Sequence, residues 1–290
     1  MSKGTILVTG ANGGLGSAIV QNILSTPDLA SNYVGIYAVR KAATATALKG
    51  VLRRAPSDHK DETVDVDLGS LASVRKTAAD INARVAKGEL PRIRALILNA
   101  GYSDYTNLVM SEDGFEMTWH INYLSNMLLS LLLLQSMDAQ DGRILFVSSW
   151  SHDIEDARND IVIGAYKDTR YPTLFPGAEL LAKGQWSRPE DDPGINSGFP
   201  SIWGQQAVCC DAVPSRRTQC STYVPYSEEL ANRIAKDPKL NNISVVSLSS
   251  GTIPTSFGRR AGFLIGIVAT RVIMPVLSEI SVRFSPNGML

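Results

Sequence analysis

Three groups of residues in this chain have types and spacings suited to chemistry. The first is the run Thr9-Gly10-Ala11-Asn12-Gly13-Gly14-Leu15-Gly16. It follows a short apolar stretch and precedes apolar residues at helical spacing. Glycines there permit a tight turn and close approach of backbone to a ligand, and a following helix N-terminus favours negative charge. That arrangement suits a pyrophosphate, with Gly10, Asn12, Gly14, Leu15 and Gly16 as candidate contacts. The second group is Arg40-Lys41, directly after the apolar run Tyr33 to Val39. An acid at such a strand end would bond a ribose 2′-hydroxyl. Two cations suit a 2′-phosphate instead, and arginine can grip it through two parallel bonds. The expected cofactor is therefore NADP(H), with Arg40 at its adenosine end. The third group is Cys209, Cys210 and Cys220. No histidine stands nearby to complete a metal site, so no metal is expected. A serine hydrolase built on Ser149, His152 and Asp153 is also disfavoured, because no Gly-x-Ser-x-Gly elbow is present.

These groups need elements to hold them. The pattern predicts strands over 5–9, 33–39, 63–67, 95–99, 143–148 and 243–248. It predicts helices from Leu15 onward, over 44–55, over 71–85 with Ser70 as cap, over 113–137, and over 227–236. Strands separated by helices imply parallel pairing, right-handed crossovers and helices on both faces. The expected fold class is α/β, a doubly wound parallel sheet in a single domain spanning 1–290. Ligands of such sheets sit at the carboxyl ends of the strands. From 151 to 226 no period survives, and this stretch reads as an irregular insertion on the substrate side. An apolar run over 261–277, broken by Arg271 and Pro275, lies within a substrate-covering segment at about 256–280. It is short for a membrane span.

The motifs in these places resemble the short-chain dehydrogenase/reductase family, whose fold is Rossmann-type. Thr9 to Gly16 matches its Thr-Gly-x-x-x-Gly-x-Gly fingerprint. The resemblance implies that Asp67-Leu68 contacts the adenine, that Asn99-Ala100-Gly101 lines the cofactor cleft, and that Ser149 hydrogen-bonds the reacting carbonyl oxygen. It also implies that Asn122, in Ile121-Asn122-Tyr123, supports a water relay. Ser250-Gly251-Thr252-Ile253-Pro254-Thr255 is similar to the family's Pro-Gly-x-x-x-Thr, with serine replacing the proline, and Thr255 would hold the nicotinamide amide. The implied activity is hydride transfer between NADP(H) and a carbonyl or secondary alcohol.

One departure bears directly on that chemistry. The family's proton donor is a Tyr-x-x-x-Lys pair that follows the serine motif, and no tyrosine beyond Ser149 has lysine four residues later; Tyr37 and Lys41 have that spacing but stand at the second strand. Tyr166 reaches Arg170, but within the irregular insertion. The peptide Ser201 to Val213, back-translated and read one nucleotide downstream, permits A-Y-G-A-S-K-L-C-V-V-M-L-F. That string contains the missing pair followed by an apolar run. It also accounts for the clustered cysteines. Residues 201–226 are therefore read as a frame-shifted or mis-spliced segment.

The bulk properties set outer bounds. The 290 residues carry 28 Lys+Arg against 28 Asp+Glu, so no net field favours nucleic acid or an anionic membrane. Met1-Ser2-Lys3-Gly4 leads straight into the first strand with no long apolar leader. With three cysteines close together, a reducing, cytoplasmic setting is expected. The implied substrate is a bulky lipophilic small molecule, such as a secondary metabolite or a steroid-like or retinoid-like compound. Pairing into a homo-oligomer is an expectation by analogy alone. Two other functions stay open. The chain could bind NADP(H) without turning it over, as a sensor or scaffold. Gly10, Gly13 and Gly16 also fit the Gly-x-x-Gly-x-x-Gly spacing of a nucleotide-sugar epimerase or dehydratase.

Overall fold

The structure is a computed structural model, and it describes residues 2–104, 107–148, 177–185 and 224–249. Six strands form one parallel sheet in the order β3-β2-β1-β4-β5-β6. They are β1 (Gly4–Thr9), β2 (Tyr33–Val39), β3 (Lys60–Asp65), β4 (Ile93–Leu98), β5 (Arg143–Ser148) and β6 (Ser244–Ser249). The chain runs outward from β1 to β3, then returns to place β4 on the other side of β1. That reversal is a topological switch point, and the glycine turn after β1 lies beside it.

The helices are α1 (Gly14–Ser25), α2 (Pro27–Asn32), α3 (Thr46–Leu52), α4 (Leu71–Ala86), α5 (Met117–Trp119), α6 (Asn126–Leu133), α7 (Ala178–Ala182) and α8 (Val224–Lys236). A π-helical turn, His120–Ser125, joins α5 to α6. Register assigns the strand residues to two faces. Leu7, Ile36, Leu96, Leu98, Ile144 and Phe146 share one face and are almost fully buried against α4, α6 and α8. Each such side chain contributes about 1.5–3 kcal/mol of apolar burial. Ile6, Val8, Tyr37 and Val39 share the other face and pack under α1 and α3. That second face continues through Ile97, Leu145 and Val147 to Val246 and Leu248. Exposure rises along this row to 45% at Val246 and 51% at Leu248. Among the described residues, β6 pairs only with β5.

Several expected boundaries move. The strand expected over 63–67 runs Lys60–Asp65. Pairing with β2 extends it backward through Lys60, Asp61 and Glu62, and Asp67-Leu68 falls in the turn beyond it. The helix expected over 44–55 is a 3₁₀ turn, Ala42–Thr44, followed by α3. The single helix expected over 113–137 begins at Met117, passes through the π-helical turn and closes with a 3₁₀ turn at Leu134–Ser136. The stretch expected to be irregular over 151–226 contains α7 and the start of α8. Ser70 caps α4 as expected, accepting from Ser73 N at 3.3 Å.

Candidate functional site

The glycine turn is built by close backbone approach. Gly10 sits at φ +66°, where a side chain would be strained, and a Cβ there would lie 2.8 Å from Ala100 Cα. A Cβ on Gly16 would lie 2.1 Å from Gly10 O and 2.9 Å from Asn99 Nδ2. No side chain fits into either gap. Gly13 N donates to Gly10 O at 2.9 Å, closing the turn. No side chain caps α1 at Gly13, so its first-turn N–H groups are left to face a ligand.

Residues just after β4 hold this turn in shape. The buried hydroxyl of Thr9 accepts from Asn99 N and from Ala100 N, each at 3.0 Å. Asn99 Nδ2 in turn donates to Thr9 O at 3.0 Å and to Gly10 O at 3.4 Å. The ends of β1 and β4 are thereby locked together, with Gly101 exposed beyond them. Thr9 opens the sequence motif but is not among the candidate contacts read from it; its hydroxyl shapes the turn from within.

Arg40 is exposed at the end of β2, and it forms no ion pair among the described residues. The nearby acid, Asp65, accepts from Ala42 N at 2.6 Å. Asn12 is engaged differently from expectation. Its Oδ1 accepts from Leu48 N at 3.1 Å, so the side chain caps α3 rather than pointing freely from the turn. Asp67 Oδ1 accepts from Gly69 N at 2.9 Å, and Leu68 O accepts from Ser125 Oγ at 2.6 Å. Asp67 thus shapes its own turn and remains exposed.

Asn122 lies in the π-helical turn. Its Oδ1 accepts from Tyr102 N at 2.7 Å and its Nδ2 donates to Tyr102 O at 2.9 Å. Both ends of the amide therefore clamp the backbone of one residue in the loop after β4. π-turns arise where one extra residue enters a helix, and they cluster at functional sites. Asn126, fully buried one turn later, donates to Ile121 O at 2.8 Å and to Ala100 O at 3.3 Å. A polar residue inside an apolar run was the available signal for it. Replacing Asn122 with alanine should lower unfolding free energy by about 1–3 kcal/mol, because the backbone N–H and C=O of Tyr102 lose their bonds to the Asn122 amide. Urea unfolding of the variant against wild type checks this.

His120, also unforeseen, is fully buried, with neither ring nitrogen hydrogen-bonded. Burial holds its pKa below the ordinary histidine value, against the opposing pull of Asp113 and Asp67. Ser149 and Thr255 lie outside the described residues, as do Tyr166, the three cysteines and the segment 201–223. An open apolar groove of about 430 Å³ lies between the end of α6 and residues 237–240. It is at the amino edge of the sheet, away from the glycine turn.

Residues 4–157 match the model of the family described as short chain dehydrogenase. The short-chain dehydrogenase iccH of Talaromyces variabilis is 40% identical over 99% of this chain and 80% of its own length. The chain belongs to the short-chain dehydrogenase family. Mouse retinol dehydrogenase 13 is 33% identical, over 79% of this chain and 73% of its own length. Among solved structures, the RhlG/NADP active-site complex of Pseudomonas aeruginosa matches with a TM-score of 0.55 and 18% identity. That match covers 100% of this chain and 85% of the other, and it supports the shared fold. Membership makes the chain an oxidoreductase-family protein with a nicotinamide cofactor and a small-molecule substrate. No helix among the described residues is long and apolar enough to cross a membrane.

Proposed function

We propose that this short-chain dehydrogenase binds NADP(H) at the glycine turn and passes hydride between its nicotinamide and a carbonyl or secondary alcohol of a bulky lipophilic molecule. The observation that carries the reading is the turn itself, where Gly10, Gly16 and Asn99 leave room only for backbone beside an uncapped helix N-terminus. The residues present fit the cofactor. The first turn of α1 would meet the pyrophosphate. Arg40, exposed and without an ion pair among the described residues, would meet the 2′-phosphate, and Asp67-Leu68 the adenine. Asn99, Ala100 and Gly101 would line the cleft, with Thr255 toward the nicotinamide amide. When bound, NADPH supplies the hydride. The chain's own part is to orient the carbonyl through Ser149 and to hold the loop after β4 through Asn122. The name of mouse retinol dehydrogenase 13, which acts on a lipophilic alcohol, supports the substrate class.

Fluorescence titration of purified protein tests this. NADPH is expected to bind more tightly than NADH. Arg40→Ala should weaken NADPH by about 10- to 100-fold, the worth of a hydrogen bond to a charged group, and leave NADH unchanged. Equal loss for both nucleotides would remove Arg40 from the 2′-phosphate. A second reading has one observation in its favour: no Tyr-x-x-x-Lys follows Ser149 in the sequence. In that reading the chain binds NADPH without consuming it, and a carbonyl panel followed at 340 nm separates the two.

A further inference from the structure

The segment 109–122 touches two regions that the proposed function keeps apart: the turn at the adenine end and the helix α7. On the adenine side, Asp113 Oδ2 accepts from Leu71 N at 2.8 Å, at the start of α4. A Cβ on Gly69 would lie 3.1 Å from Met117 Sδ, so the methionine closes over the Asp67–Ser70 turn. On the other side, Glu116 N donates to Ala182 O at 2.7 Å. Lys183 Nζ donates to Gly114 O at 3.2 Å and stands 5.1 Å from the centre of the Phe115 ring. Gly184, at φ +61°, packs close to the Leu108 side chain.

The interior of this segment is rigidly packed. Phe115 lies 5.6 Å from the Trp119 ring and 5.5 Å, edge-on, from the His120 ring. Leu181 and Ala182 are buried with Trp119, against Phe115, Tyr123 and Leu124. Glu116 is buried, and its two carboxylate oxygens accept from Thr118 N at 2.9 Å and Trp119 N at 2.8 Å. A shift of α7 must therefore move Phe115 and Trp119, and with them Met117, Asp113 and the π-helical turn bearing Asn122. Close-packed interiors transmit such shifts rather than absorb them.

We infer that segment 109–122 couples the docking of α7 to the shape of the adenine turn, with Leu181 and Asp113 as positioning residues for the cofactor. Among the described residues Leu181 clusters with Trp119 and Ala182 and not with the glycine turn, yet its packing sets the affinity for NADP(H). Coupling of this kind is reciprocal: α7 strengthens nucleotide binding by the factor by which nucleotide strengthens α7 docking. The inference rests on the cofactor reading above.

Two measurements on the full chain test it. In the wild type, saturating NADPH should slow hydrogen exchange at Leu181, Lys183, Gly184 and Gln185. Their N–H groups bond within 177–185, so they report local opening of α7. Leu181→Ala should weaken NADPH binding by about fivefold or more, the lower end of ordinary coupling. Leu181→Met should restore the affinity. Ile234→Ala, a core change in α8 whose cluster includes neither Leu181 nor Trp119, should destabilise the protein and leave affinity unchanged. The idea is overturned if NADPH leaves exchange at 181–185 unaltered, or if Leu181→Ala binds as wild type does. A Leu181→Ala loss matched by Ile234→Ala also overturns it, since general instability then explains the effect. Wild-type protein that binds no nicotinamide nucleotide sinks the cofactor reading and this inference together. Normal binding with an unaffected Leu181→Ala sinks the inference alone.

Discussion

A chain in which residues 201–213 read A-Y-G-A-S-K-L-C-V-V-M-L-F is expected to consume NADPH with a carbonyl substrate about 10²- to 10⁴-fold faster than the chain as it stands. That range is the ordinary contribution of a positioned general acid. The replacement puts tyrosine at position 202 and lysine at position 206. The lysine would stand one helical turn beyond the tyrosine and lower its pKa. The apolar letters that follow suit a buried helix. The present letters, with Cys209-Cys210 and Arg216-Arg217, show no amphipathic stripe. Two results bear on this. Coding DNA whose codons across 201–213 cannot spell the string removes the premise. A re-framed protein that folds, binds NADPH and turns over no faster removes the consequence.

The second large effect concerns Gly16→Ala. The added methyl would sit 2.1 Å from Gly10 O, a backbone atom with no side-chain freedom to yield. Relief requires the Gly10–Gly13 turn to open or α1 to slide. Overpacking of this kind costs about 1–3 kcal/mol in stability. The effect on binding should be larger than the effect on folding. The same methyl intrudes where backbone must approach the pyrophosphate, and displacement breaks the Asn99 bonds to Thr9 O and Gly10 O. Nucleotide affinity is expected to fall by at least about 100-fold, the equivalent of roughly 2.7 kcal/mol. The sheet is expected to persist, because its larger core cluster lies on the opposite face from α1. Circular dichroism at the titration temperature checks the fold. Near-normal affinity in a folded Gly16→Ala protein would show that the pyrophosphate is not held at this turn.

What could be read from the sequence differed from one element to the next, for identifiable reasons. β2 was legible at both ends, because an apolar run is bounded by Asn32 and Arg40 and pairs on both edges. β3 was misplaced because Lys60-Asp61-Glu62 carries no strand signal of its own. Its pairing with β2 alone makes it a strand. The helix expected from Asp113 was drawn from local pattern. Asp113 instead accepts from the start of α4, and Glu116 takes over as the cap. Both are tertiary choices that no window reveals. Asn12 is a similar case: it caps a helix 36 residues away. α7 is five residues long, too short for periodicity to show, and among the described residues it is buried against Phe115, Trp119, Tyr123 and Leu124. The glycine turn was the most legible part of the site, because close backbone approach demands glycine itself. Arg40 was legible as a cation at the end of β2, where the structure has it exposed. The Asn122 clamp on Tyr102 was not.

The π-helical turn has a consequence for any comparison of helical register along 117–136. Each residue of an ordinary helix advances the chain by about 100°. One surplus residue therefore rotates everything before His120 by that angle relative to everything after Ser125. The apolar stripe of α6 can face the sheet while Trp119 and Phe115 turn toward α7. Deleting a single residue between 120 and 125 would merge the two halves into one straight rod and swing the aromatic ledge away from the chain it supports.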